Sequence, residues 1–336
     1  MSVEAGVARA RVIDVHAHAV FAETMGAAGR FGPEIAATED GTPLFRVGDY
    51  RLIGVRYVGS AFMDPVLRIA RMDEAGIDFQ VLSPNPLTYF SHIDVAEAVA
   101  FCRIHNDTMA RVAASHPDRL AGTAALPTQD IGAACEELHR AVGELGLWAA
   151  YIGTDNRLPL HAPEFDRLYE TCVALDVPLF LHPAPAGIDG LPGDPNLKRF
   201  DLDLVAGFAA QETIAAATVI FGGVLERHPT LDICMSHGGG AIAFLAGRLA
   251  QASRKRPWSR ESLRPDGAFE AQLSKLWFDT HVNDDGSLDL LKRRVGGDRL
   301  VYGTNFVGWD APDAAHHAPP EPALADNARR LLRRPK

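Results

Sequence analysis

The stretch that decides the fold is VIDVHAH, residues 12–18. It opens on β-branched apolar residues, as a buried strand does, and it ends on two histidines. Side chains alternate along a strand, so His16 and His18 share one face. Seven more runs have the same form: short, apolar on both faces, and closed by a polar residue or proline. They are residues 79–84, 120–127, 147–154, 178–183, 231–237, 276–281 and 300–305. Strands that are apolar on both faces belong to parallel sheets covered on both sides. Helical periodicity fills gaps between them at 94–115, 131–146, 164–175, 208–227 and 241–252. Strict β-α alternation repeated eight times predicts an α/β chain folded as a (β/α)8 TIM-type barrel, with a doubly wound open sheet as the alternative.

Two stretches do not fit the repeat. Residues 21–63, rich in glycine and turn formers, read as a long insertion after the first strand, lying over the barrel mouth. Residues 183–203 read as a Pro/Gly loop of the kind that forms lids. After Trp309 come a Pro/Ala/His stretch and a short helix. The whole of 1–336 is expected to be one barrel domain.

Composition bounds the function. Of 336 residues, 47% are hydrophobic and 23% charged, an ordinary globular profile. A formal net charge of −10 argues against nucleic acid, which demands a basic footprint. The one internal basic run, Arg254-Lys255-Arg256, reads as a solvated helix end. The four cysteines, Cys102, Cys135, Cys172 and Cys234, form no C-x-x-C pair and sit in apolar surroundings. They are expected to be buried free thiols in a reducing compartment, which places the protein in the cytoplasm. The start of the chain has no apolar signal core, and no apolar run is expected to approach the ~18 residues of a membrane span.

The chemistry gathers at strand ends. His16 and His18 close the first strand, His182 the fifth, His237 the sixth, Asp279 and His281 the seventh, and Asn305 the eighth. Functional groups of a (β/α)8 barrel lie on that rim. One buried histidine is by default a hydrogen-bonded core residue; a ring of them at strand ends points to a metal centre. His116, His139, His161 and His228 fall in helices or loops and keep the default reading. Phe62, Tyr89, Phe90, Phe306 and Trp309 could line a pocket for a planar substrate, and Asn85 in the Pro84-Asn85-Pro86 loop could add a polar contact.

Several motifs together resemble the amidohydrolase superfamily, and within it amidohydrolase family 2 and its aminocarboxymuconate-semialdehyde decarboxylase-like branch. They are Asp14-Val15-His16-Ala17-His18, Phe62-Met63-Asp64-Pro65 with Arg68 and Met72-Asp73, Leu181-His182-Pro183, Ser236-His237-Gly238-Gly239-Gly240 leading to Arg248, and Tyr302-Gly303-Thr304. The resemblance covers nearly the whole chain. It implies a divalent metal, zinc first and manganese as the alternative, held by His16, His18 and His182. It implies that His237 activates water or moves a proton, that Arg56 and Arg248 bind a substrate carboxylate, and that Arg248 can come from a neighbouring subunit of a homodimer. The implied activity is decarboxylation of an aromatic or unsaturated cyclic or muconate-like acid. Hydrolysis of an amide, lactone or C–C bond is the alternative, and a catalytically silent binding barrel a third reading.

One position departs from the pattern. The family ends its eighth strand with an aspartate that binds the metal, where this chain has Asn305, whose amide is a neutral ligand and no base. Three readings stay open: Asn305 is a variant ligand, with His237 or His281 moving the proton; Asp310 or Asp279 supplies the carboxylate; or the site is inactive or engineered.

Overall fold

All eight apolar runs form strands in the computed structural model, which describes residues 3–190, 192–312 and 320–333. The Pro/Ala/His stretch expected after Trp309 falls largely outside the described residues, at 313–319. The strands are Ile13–Ala19, Phe79–Pro84, Leu120–Gly122 continued by Ala124–Ala125, Ala150–Gly153, Leu179–His182, Ile233–Met235, Trp277–Asp279 and Leu300–Val301. Each pairs in parallel with the next, or meets it in backbone hydrogen bonds, from first to eighth. The ring closes where Val15 N–H donates to the Tyr302 carbonyl at 2.9 Å and Phe306 N–H to the His16 carbonyl at 3.2 Å. The open-sheet alternative is thereby excluded, because an open sheet leaves its first and last strands unpaired. Every strand residue in the ring is buried, as the two-sided apolar pattern requires.

The helices stand outside. Val95–Ser115, Ile131–Gly143, Pro163–Ala174, Gly207–Phe221 and Ile242–Lys255 lie within a few residues of their expected bounds. Pro65–Glu74 begins at Asp64, whose carboxylate accepts from the Val66 and Leu67 N–H groups. Asp130 and Asp284 cap their helices in the same way, each filling an orphan donor of a first turn. The final helix, Pro322–Leu331, packs Ala325, Ala328 and Leu331 against the barrel's Ile13, Phe79 and Val301.

Residues 21–63 contain two short 3-10 turns and an antiparallel sheet of Glu34–Ala37, Pro43–Val47 and Tyr50–Ile53. Their small core includes Phe45, Val47 and Tyr57, packed with Phe90 and Phe101 of the barrel. Tyr50 Oη donates to the Asp203 carboxylate at 2.9 Å, tying this sheet to the end of the loop after strand five.

One expectation about apolar runs is corrected. By length and composition, residues 202–221 suffice to cross a membrane. The stretch forms two helices, Leu202–Val205 and Gly207–Phe221, that bury Glu212, Ala216, Val219 and Ile220 on the barrel's outer layer. Gly207, Gln211, Glu212 and Thr213 interrupt its apolar run.

Candidate metal centre and active site

The first strand aims its histidines through an irregularity. Its register with strand two shifts between Asp14 and Ala17. Before the shift, Ile13 and Val15 pack with Phe180, Cys234 and Val301. After it, Ala17 and Ala19 pack in a different cluster, with Met72, Leu82 and Met109. The parity therefore changes at the shift, as bulges beside active sites do. The strand is braced below by Asp14, which accepts from His16 N–H, Gln80 Nε2 and Thr304 Oγ1. Gln80 in turn accepts from the buried Arg68, whose guanidinium also donates to the His18 carbonyl at 2.6 Å.

His16, His18 and His182 meet at one point. His18 Nε2 lies 3.3 Å from His16 Nε2 and 3.2 Å from His182 Nε2. Their other ring nitrogens are committed elsewhere. His18 Nδ1 donates to the Pro84 carbonyl at 2.8 Å, His182 Nδ1 to the Pro183 carbonyl at 2.7 Å, and His16 Nδ1 to Asp279 Oδ2 at 2.8 Å. A carbonyl can only accept, so the protons of His18 and His182 sit on Nδ1 and their Nε2 atoms carry lone pairs. Burial holds all three imidazoles below their ordinary range, His18 at about 3, so they are neutral. Three buried lone pairs facing one another repel unless a cation lies between them. The donor set fits a divalent ion at tetrahedral or higher coordination, with Nδ1 partners of the kind that orient metal-binding histidines.

Asp279, weighed as a replacement carboxylate, is thus an orienting partner of His16; it also accepts from the His281 and Gly238 N–H groups. Changing Asp279 to Asn is expected to weaken the divalent ion's affinity by about 10–100-fold, read by metal titration, because the amide orients His16 less firmly.

His237 faces the trio, its ring centroid 4.8 Å from that of His16 and 4.9 Å from that of His182. Its Nδ1 pairs with Glu212 Oε1 at 2.9 Å, and Ser236 Oγ donates to the same oxygen. Burial pulls the His237 imidazolium down, but Glu212, with Asp279 and Asp310 behind it, outweighs burial and lifts His237 to about 9. His237 through Gly240 all have positive φ. Gly240 is required by close approach: a Cβ there would lie 2.1 Å from the Ala209 carbonyl of the neighbouring helix. The glycine run therefore serves helix packing around His237.

Asn305, with φ of 47°, donates from Nδ2 to Asp310 Oδ1 at 2.6 Å, leaving the amide oxygen as its acceptor. Asp310 Oδ2 lies 3.1 Å from His281 Nε2. Although burial acts to raise it, His281 and Asn305 hold the Asp310 carboxyl well below the usual carboxylate range. Asp310, in the loop after strand eight, thus joins Asn305 and His281 beside His237. A cavity of about 500 Å³ opens here, lined by His237, His281, Asn305 and Asp310 on one side and by Phe208, Phe244 and Trp309 among its apolar residues.

Three expected contacts lie elsewhere. Asn85 accepts from Leu87 N–H at 3.0 Å, capping its own turn, and donates to Tyr57 Oη at 3.1 Å, which ties that turn to the 21–63 segment. Arg56 is exposed and does not line the cavity, because the short segment after the three-stranded sheet turns it outward. Arg248 is exposed one helical turn beyond Phe244 and likewise does not line the cavity of its own chain. Of the aromatic residues, Trp309 borders the cavity, whereas Phe62 and Phe90 pack in the core of the 21–63 segment. Glu212 went unread in the sequence. Its signal was a lone acid in an otherwise apolar helix, which needs a buried cation or proton to answer it.

The sequence model of the amidohydrolase family matches residues 13–334. The chain is 30% identical over 252 residues to the 2-amino-3-carboxymuconate-6-semialdehyde decarboxylase of Dictyostelium discoideum, across 75% of this chain and 68% of that one. It is 31% identical over 256 residues to the gamma-resorcylate decarboxylase of a Rhizobium species, across 71% and 75%. The 5-carboxyvanillate decarboxylase of Novosphingobium aromaticivorans, solved with manganese, superposes with a TM-score of 0.69 at 26% identity over 79% of each chain. From its first barrel strand to its last helix, the chain belongs to the amidohydrolase family.

Proposed function

We propose that this amidohydrolase is a metal-dependent decarboxylase of an aromatic or unsaturated cyclic or muconate-like carboxylic acid. The observation that carries the reading is the convergence of three Nε2 lone pairs beside a histidine hydrogen-bonded to a buried carboxylate. The decarboxylase relatives support the substrate class. A divalent ion bound by His16, His18 and His182 supplies Lewis acidity to a substrate oxygen. Three imidazoles suit zinc; manganese in a structural relative keeps that ion as the alternative.

His237 holds a proton at Nε2 against the cavity, kept there by Glu212 at Nδ1. As the bond from carbon to carboxylate breaks, the electron pair stays on carbon and takes that proton, so RCO2⁻ and H⁺ become RH and CO2. Phe208, Phe244 and Trp309 offer a planar substrate apolar contact. Arg248, exposed near the mouth, is assigned to the carboxylate of a substrate bound by a second copy in a homodimer, a reading supported by the exposure of Phe244 and Trp309 (77% and 68%) beside it. A cytoplasmic location goes with this reading, supported by four free buried cysteines.

Release of CO2 from 2,6-dihydroxybenzoate, 5-carboxyvanillate and a carboxymuconate semialdehyde tests the assignment. Turnover of at least one with loss of its carboxyl carbon is the expected result; binding without CO2 release from any would refute it. Changing Glu212 to Gln is expected to shift the alkaline limb of kcat to lower pH. Glu212 raises the His237 pKa, so without it the acid loses its proton earlier as pH rises. A kcat–pH profile checks the direction.

A further inference from the structure

The cavity carries a second set of ligand atoms beside the first. His237, His281 and Asp310 each present one, and all three atoms lie within 4.8 Å of one another. His281 is only 3% exposed; its Nε2 pairs with Asp310 Oδ2 at 3.1 Å, and its buried Nδ1 has no hydrogen-bond partner. A buried ring nitrogen left without a partner is costly, and a ligand in the cavity would answer it. His237 uses Nδ1 on Glu212 and has Nε2 to offer. Asp310 is held in place by the Asn305 amide. Two imidazole nitrogens and a carboxylate oxygen, with the cavity supplying an open position, are a donor set that divalent zinc-class ions take.

We propose that His237, His281 and Asp310 form a second divalent-cation site, adjacent to the His16–His18–His182 site and weaker than it, whose filling takes His237 out of proton transfer. The inhibitory part rests on the proton-donor role proposed above for His237; the binding part does not. Weakness follows from the supports. All three histidines of the first site have Nδ1 anchored, whereas His281 has no anchor and Asp310 stands on a loop. Each missing orienting partner lowers metal affinity by about 10–100-fold. Adjacency follows from His16, whose ring lies 4.8 Å from His237 and 5.4 Å from His281, centroid to centroid. Two ions separated by so little protein couple magnetically.

The test is equilibrium dialysis of the metal-free protein against rising manganese, with EPR at each step. Two ions per chain are expected, the second bound at least ~10-fold more weakly and giving a spin-coupled spectrum. Asp310→Asn and His281→Gln should each stop at one ion with an uncoupled spectrum. With zinc, the activity of the unaltered protein should rise with the first equivalent and fall with excess. Saturation at one ion, removed by His16→Ala and unaffected by Asp310→Asn, would overturn the second site and leave the proposed function standing. A single ion whose affinity drops in Asp310→Asn would make Asp310 a ligand of the first site and overturn the proposal as well. Absence of any bound ion would overturn both.

Discussion

Replacing His16 with alanine is expected to abolish tight divalent-ion binding and to lower kcat/KM by about 1,000-fold or more. The estimate follows from the chemistry assigned to the ion, several kcal/mol of charge stabilisation at the substrate oxygen, where each ~1.4 kcal/mol is tenfold in rate. His16 is the ligand with most to lose. It sits at the register shift of the first strand, its Nδ1 is tied to Asp279, and its ring borders His18, His182, His237 and His281. The variant should still fold, because the strand's brace runs through Asp14, Gln80, Thr304 and Arg68 and uses none of the His16 ring. Metal analysis together with circular dichroism separates loss of the ion from loss of the fold. A fully loaded but slow variant would contradict the ligand assignment.

His237→Asn is expected to lower kcat by about 100- to 10,000-fold, the span of a lost general acid, while one tightly bound ion remains. Asparagine is the informative replacement. His237 has φ of 44°, a conformation that asparagine tolerates better than most side chains, so the turn before Gly238 should keep its shape. The amide can still donate to Glu212, which avoids leaving that buried carboxylate without a partner. KM should change little, because the side chain's contribution is placed in the bond-breaking step. A variant that lost its ion as well would show that His237 supports the first metal site.

Most of the barrel was legible because buried parallel strands leave a strong trace: short apolar runs, each stopped by a polar residue. The histidine trio was legible because the residues of such a site fall at those stops. What escaped depended on partners far apart in sequence. Glu212 lies on a helix 25 residues before His237 and is joined to it only by packing. Asp279 could be placed on the rim, but its service to His16 across 263 residues of chain needed the closed ring. Arg56 was assigned by the family resemblance and Asn85 by its place in the loop after strand two. The local turns that carry them send one guanidinium to solvent and spend the other side chain's amide on its own turn and on Tyr57. Asn305 had three open readings. The geometry brings Asp310 beside Asn305 and His281, through a loop whose left-handed residues Asn305 and Val307 reverse the chain within a few positions.

The central claim is that carboxylate loss depends on an ion at the trio. Its most direct measurement is release of labelled CO2 from carboxyl-13C 2,6-dihydroxybenzoate, or from the best acid of the panel, by metal-free protein before and after adding one equivalent of zinc or manganese. The account predicts negligible release from the metal-free protein and turnover restored by the ion, with the product one carbon shorter. Equal release with and without the ion, or a product that keeps its labelled carboxyl while another bond is hydrolysed, would contradict it.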